Sequence, residues 1–154
     1  MGDKDSLMAM AALLSLIVAS IIYRVSRGRP VLAWSVPGAS FLERFASGHS
    51  GGRLIAVGRA RSCLLVAIAS GQVLVRPLFP FNLMFLPEIF GIELEIPIEK
   101  VERVKLKEGL WRSVELRYQD GDGSLNDVVL QLRQPEDFVA QLKNASEGAA
   151  APDA

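Results

Sequence analysis

The sequence predicts an N-terminal transmembrane α-helix followed by a mainly β domain that a C-terminal helix closes, and three observations predict it. Residues 6–23 (SLMAMAALLSLIVASIIY) hold no charge and no proline, with Arg24, Arg27 and Arg29 close behind them. From residue 53 onward, apolar side chains recur in short runs separated by glycine-containing turns, several of them alternating with polar residues. After Pro135 the apolar spacing becomes that of a helix.

Helical residues 6–23, at 1.5 Å each, reach roughly 27 Å, close to the roughly 30 Å of hydrocarbon in a bilayer. A cleaved secretory signal would want a positive start and small residues at its end, whereas residues 1–5 (MGDKD) set Asp3 and Asp5 against Lys4 and the stretch closes on Tyr23-Arg24. A buried core helix would keep a polar face, yet Ser6, Ser15 and Ser20 are the only polar side chains before Tyr23. Serine is tolerated in lipid because its hydroxyl can bond a carbonyl one turn back. Lys and Arg stay on the cytoplasmic side, so Arg24, Arg27 and Arg29 set the topology: residues 1–5 outside, the rest cytoplasmic, single-pass in a plasma or inner membrane. Cys63, the lone cysteine, agrees with a reducing compartment and reads as a small core residue within SCLLVAIA.

Residues 24–52 read as a basic, flexible linker punctuated by Pro30, Pro37 and glycines. Within it, Ser40-Phe41-Leu42-Glu43 has capping-box spacing and predicts a short helix over 41–46. Its shared face of Phe41, Leu42 and Phe45 would rest among headgroups or dock on the domain. Trp34 reads as an interfacial anchor or a packing residue.

The domain is expected over 53–145. Residues 53–58, 62–69 and 72–76 predict a three-stranded antiparallel meander turning at 59–61 and at Ser70-Gly71. In 92–98 (IELEIPI), Ile92, Leu94, Ile96 and Ile98 alternate with Glu93, Glu95 and Pro97, which means one face buried and one wet. A strand over 101–106 follows. Strands 112–118 and 127–132 flank Asp120-Gly121-Asp122-Gly123, whose Asp-Gly pairs suit a hairpin turn. Pro135, Glu136 and Asp137 then start a helix that carries Phe138, Val139 and Leu142 on one side to about Asn144. The tail 146–154 (SEGAAAPDA) is expected to be disordered.

Composition bounds the function. Seventeen basic residues balance seventeen acidic ones, which gives no field that would attract nucleic acid. His49 is alone in a Ser/Gly stretch without acids or cysteines at ligand spacing, no phosphate-cradling glycine pattern occurs, and the calcium-like Asp120 turn lacks its closing glutamate. No catalytic residue, metal or cofactor is therefore expected, and the chain does not read as an enzyme.

The stretches 92–106 (IELEIPIEKVERVKL) and 127–142 (DVVLQLRQPEDFVAQL) resemble the Ile-Pro step and the last strand and closing helix of pleckstrin-homology (PH)-like domains of the GRAM and bacterial type. The likeness covers about residues 53–143 and extends to small bacterial membrane proteins of unknown function that carry such a domain behind one N-terminal span. It implies a seven-stranded half-open barrel of two orthogonal antiparallel sheets, capped by the C-terminal helix, that binds lipid headgroups or protein segments. Many such domains hold phosphates from the first two strands and the loop between them. Arg53, Arg59 and Arg61 fall at that place, where guanidinium forks suit phosphate geometry, or they form a solvated basic turn.

The segment 78–91 (LFPFNLMFLPEIFG) is too irregular for a strand and too apolar for a free loop, since exposing each large side chain forfeits about 1.5–3 kcal/mol. It is expected either to cover the open edge of the barrel or to contact the bilayer or a partner through Phe79, Phe81, Leu83, Met84, Phe85 and Leu86. The expected function is a membrane-anchored, non-catalytic PH-like binding module at the cytoplasmic face. The alternatives are an anionic-headgroup reader through Arg53, Arg59 and Arg61, and an accessory subunit of a membrane enzyme or complex docked through 78–91. The implied partners are the bilayer, its anionic lipids and an unidentified protein.

Overall fold

The computed structural model of the chain describes residues 2–29, 31, 34–50, 60–84, 93–109 and 112–150. Helix α1 (Gly2–Ser26) contains the expected span and adds about one turn at each end. Among the described residues it is the single helix long and apolar enough to cross a membrane; 6% of its apolar window is buried, so it is not a core helix. Ser15 Oγ donates to the Ala11 carbonyl at 2.8 Å, which satisfies the hydroxyl inside the helix. At the C-terminus Gly28 takes φ +67°, Gly28 N–H donates to Val25 O at 3.0 Å and Arg29 N–H to Arg24 O at 2.9 Å. This left-handed cap satisfies orphan carbonyls and folds the chain back at Arg29.

Seven strands follow: β1 (Phe41–Ser50), β2 (Ala60–Ala69), β3 (Gln72–Pro77), β4 (Leu94–Pro97), β5 (Val101–Lys107), β6 (Ser113–Gln119) and β7 (Leu125–Gln131). A four-residue helix α2 (Phe81–Met84) lies between β3 and β4, a 3-10 turn (Ile98–Lys100) between β4 and β5, and α3 (Pro135–Ala150) ends the described chain. Among the described residues the strands hydrogen-bond in the order β4-β3-β2-β1-β7-β6-β5, each neighbour antiparallel to the next. This is one continuous sheet where two were expected. It is continuous because β1 pairs with β2 along most of its length and with β7 through residues 47–50. It is not closed, since β4 and β5 stand at its two ends.

The expected helix over 41–46 is a strand, and the sheet begins inside the expected linker. Phe41 pairs with Ile68 and Leu42 with Ala67, and Phe41 is buried in the core, so ladder bonds and burial outweigh the local capping signal. The two residues of the capping box act at long range. Ser40 N–H donates to Ile68 O at 2.9 Å, and the Glu43 carboxylate accepts from Arg133 N–H at 2.7 Å and Gln134 N–H at 3.2 Å, capping the approach to α3. The expected strand 53–58 lies outside the described residues. Of the strand expected over 92–98, Ile92 lies outside the described residues, Leu94–Pro97 form β4, and Ile98 enters the 3-10 turn instead.

One core lies on the inner face of the sheet. Phe41, Leu64, Val66, Val73, Ile96, Val114, Leu116, Val128 and Leu130 form it, with Phe138 and Leu142 of α3 as the lid. Phe138 meets Phe41 edge to face, with ring centroids 5.2 Å apart at 78°. A smaller cluster on the outer face joins Leu65, Ala67, Ala69, Leu74 and Leu78, covered by Val36, Ala39 and Leu42. Residues 36–39 therefore pack on the sheet instead of hanging free. Helix α3 runs past the expected stop near Asn144, through residues 146–150 of the expected disordered tail, because Ala145 still packs on the core and alanines favour the helix. The β6–β7 hairpin forms as expected: Gly123 takes φ +85° and its N–H donates to Asp120 O at 3.0 Å.

Candidate functional site

The last three turns of α1 dock on the domain. Ile17, Ser20, Ile21 and Arg24 fall at helical spacing, and they are the partly or fully buried members of that part of the helix. Helix α1 contacts α2 across this face. Arg24 is fully buried, and its Nη2 donates to Glu93 Oε1 at 2.8 Å, while Arg29 Nη1 donates to Glu93 Oε2. The Glu93 side chain is 2% exposed and that of Arg29 37%. One carboxylate thus ties both the end of α1 and the chain behind its glycine cap to the residue that leads into β4. Asn82 of α2, also buried, donates through Nδ2 to Val31 O at 2.7 Å.

These contacts correct one expectation: Glu93, expected on a wet strand face, has its carboxylate buried between the guanidinium groups of Arg24 and Arg29. Arg24, expected to set the topology, is also a buried ion-pair partner. Arg27, the third cation, is exposed and sits over the Tyr23 ring at 5.5 Å.

The same end of the sheet gathers the other candidates. Ala46 pairs with Leu64 and Gly48 with Ala60, Leu64 pairs with Pro77, and Leu78 N–H donates to Cys63 O at 2.8 Å. The β1–β2 connection and α2 therefore leave the sheet on the side where α1 docks. Arg61 is exposed there. Arg53 and Arg59 lie outside the described residues. Of the apolar segment, Leu78 and Leu83 are buried, Phe79 is half-buried and Phe81 is 37% exposed, so its first half is divided between packing and surface. Phe85 and Leu86, and the side chain of Met84, lie outside the described residues. Cys63 is half-buried against the core, and burial pushes its thiol above the ordinary range, as fits a packing residue.

Away from α1, Arg103, Lys105, Glu115, Arg117 and Asp127 line a depression of about 70 Å³ on the outer face of β5–β7. Arg117 donates to both Asp127 oxygens, at 2.8 and 3.1 Å. That hydrogen-bonded pairing holds the Asp127 carboxyl below its ordinary range and raises the guanidinium. Lys107 pairs with Glu115 at 3.0 Å. Such a cross-strand charge ladder stabilises a solvated sheet face. Among the described residues no group of three or more His, Cys, Asp or Glu side chains is arranged to hold a metal ion.

Sequence reasoning missed Glu93, Asn82 and the long-range role of Glu43. The signal for Glu93 was an acid in an alternating strand, which looks the same whether its partner is water or a cation distant in sequence.

No family model matches the chain, and no curated protein matches it. Among solved structures, a chain of "The 8S snRNP Assembly Intermediate" is similar, with 13% identity and a TM-score of 0.51 over 78% of this chain and 89% of that one. At that identity the likeness is one of fold.

Proposed function

We propose that this chain is a single-pass membrane protein whose sheet-and-helix domain is a PH-like, non-catalytic binding module held at the cytoplasmic membrane face. The buried contact of Arg24 with Glu93 carries this reading. A cleaved signal segment has no structural duty in the mature protein, whereas removal of α1 here would leave the Glu93 carboxylate without Arg24 and uncover the face of α2. Retention of an apolar helix of this length supports a position at a bilayer, with one end of the sheet, where the helix docks, next to the lipid. The PH-like assignment is supported by the strand order β4-β3-β2-β1-β7-β6-β5 with a C-terminal helix over the inner core, which accommodates the resemblance seen in residues 92–106 and 127–142.

A second reading, recognition of anionic headgroups, is favoured by the exposure of Arg61 at the membrane-near end, beside the connection that contains Arg53 and Arg59. The experiment is extraction of the full-length protein from native membranes with alkaline carbonate, joined to protease digestion of a C-terminal tag in right-side-out and inverted vesicles. Retention in the pellet, with cleavage in inverted vesicles alone, is expected. Release into the supernatant overturns the anchor, and cleavage in right-side-out vesicles overturns the cytoplasmic placement. For the headgroup reading, hydrogen exchange in residues 51–61 is compared in nanodiscs of zwitterionic lipid with and without an anionic component; Arg59→Glu/Arg61→Glu is expected to abolish the added protection.

A further inference from the structure

We infer that Trp34 and Phe45 make a second contact between this chain and the bilayer, at the boundary of headgroups and acyl chains beside the exit of α1. The inference rests on the reading of α1 as a retained span. Its starting observation is a strained residue. Phe45 has φ +63°, a conformation that favours glycine, and it is the extra residue of a bulge between the pairs Arg44 with Leu65 and Ala46 with Leu64. Strict alternation from Phe41 and Glu43 would send Phe45 inward. The bulge shifts the parity, so Ala46 takes the core position and Phe45 is left 47% exposed. Beside it Trp34 is 43% exposed, with ring centroids 6.4 Å apart at 73°. Arg44 Nε donates to Trp34 O at 2.7 Å, which fixes the segment carrying the indole to the same strand.

What covers these rings follows from where they sit. Trp34 stands shortly after α1, and the intervening Val31 O is held by Asn82 of α2, which packs on the docked end of the span. The bulge lies on the side of the sheet from which α2 and the β1–β2 connection emerge. Tyr23 under Arg27, and exposed Arg61, supply interfacial aromatic and basic groups on that side. Two half-exposed rings offer on the order of 200 Å², far below the roughly 800 Å² per partner of a stable protein interface, yet ample for an aromatic belt at a lipid surface. Indole in particular suits that boundary, having an apolar body and one N–H donor.

The test uses the full-length protein in nanodiscs with Trp111→Phe, which leaves Trp34 as the sole tryptophan. Lipids brominated in the upper acyl chain are expected to remove most of its emission, and aqueous iodide little. Phe45→Gly removes the ring and suits the left-handed backbone, so the thermal midpoint holds or rises while Trp34 becomes accessible to iodide. A packing role alone gives the reverse: a lowered midpoint and unchanged quenching. A parallel protein carries Tyr23→Trp with Trp34→Phe and Trp111→Phe. If brominated lipid fails to quench that reporter, the span itself is refuted. If it quenches that reporter but leaves Trp34 open to iodide, the span stands and the second contact is refuted. Shielding of Trp34 from both quenchers means that protein covers the rings, which also overturns the inference.

Discussion

Glu93→Gln is the most informative single change, because it removes one charge from a group of three in which Glu93 and Arg24 are buried. The carboxylate is 2% exposed and the Arg24 side chain it faces 0%. Two unit charges about 4 Å apart attract by about 4 kcal/mol at an effective dielectric constant of 20, which offsets much of their dehydration. Removing the acid leaves the cationic Arg24 buried without that compensation, a change that costs about 3–5 kcal/mol where no escape exists. Here escape exists, since the end of α1 can lift off α2, so the cost appears as lost docking before it appears as unfolding of the sheet. About 3 kcal/mol corresponds to a roughly hundredfold loss of hydrogen-exchange protection, confined to residues 26–31 and 78–84. Arg24→Met costs less, because Glu93 keeps Arg29, which is 37% exposed and can share its charge with solvent. The double variant Arg24→Met/Glu93→Gln recovers most of the protection, as expected for an apolar replacement of a buried ion pair. Exchange mass spectrometry on the nanodisc-embedded protein reads all three. Unchanged protection in Glu93→Gln, or a double variant whose loss equals the sum of the singles, refutes the claim that this ion pair holds the domain to α1.

Three further outcomes follow from the rest of the structure. Phe138→Ala empties a fully buried site against Phe41 and is expected to lower stability to urea by about 3–5 kcal/mol; a loss below about 1 kcal/mol would mean that α3 is not the lid of the core. Arg117 depresses the folded-state pKa of Asp127, so their pairing contributes stability above the ordinary aspartate range that is lost as pH falls through the depressed value; Asp127→Asn should flatten the acid limb of the stability curve, and identical limbs would contradict it. Glu43→Ala frees the amides of Arg133 and Gln134 and should cost about 1.5–3 kcal/mol, read as faster exchange in the first turn of α3, where no change would deny the cap.

Patterns that act within a few residues were legible from the amino-acid order. The uncharged run of 6–23 gives a helix whatever surrounds it, the Asp-Gly turn after Gln119 gives a hairpin, and Pro135 with Phe138 and Leu142 gives an amphipathic helix placed over a core. Each is fixed by backbone geometry or by burial of one face, and both have a period the sequence displays. The residues 40–43 show where this fails. Their spacing satisfies a local helix cap, yet the same serine and glutamate find partners in β2 and before α3, and Phe41 gains more from the core than from a solvated turn. The long apolar helix was readable in the sequence, but its attachment to the domain was not. Which acid meets Arg24 depends on the return of the chain 69 residues later, and the inward or outward aim of Phe45 depends on a bulge opposite Leu64 and Leu65. Tertiary structure decided both, because pairing of charges and parity of a strand are set by the partner brought alongside, a quantity no short window of sequence contains.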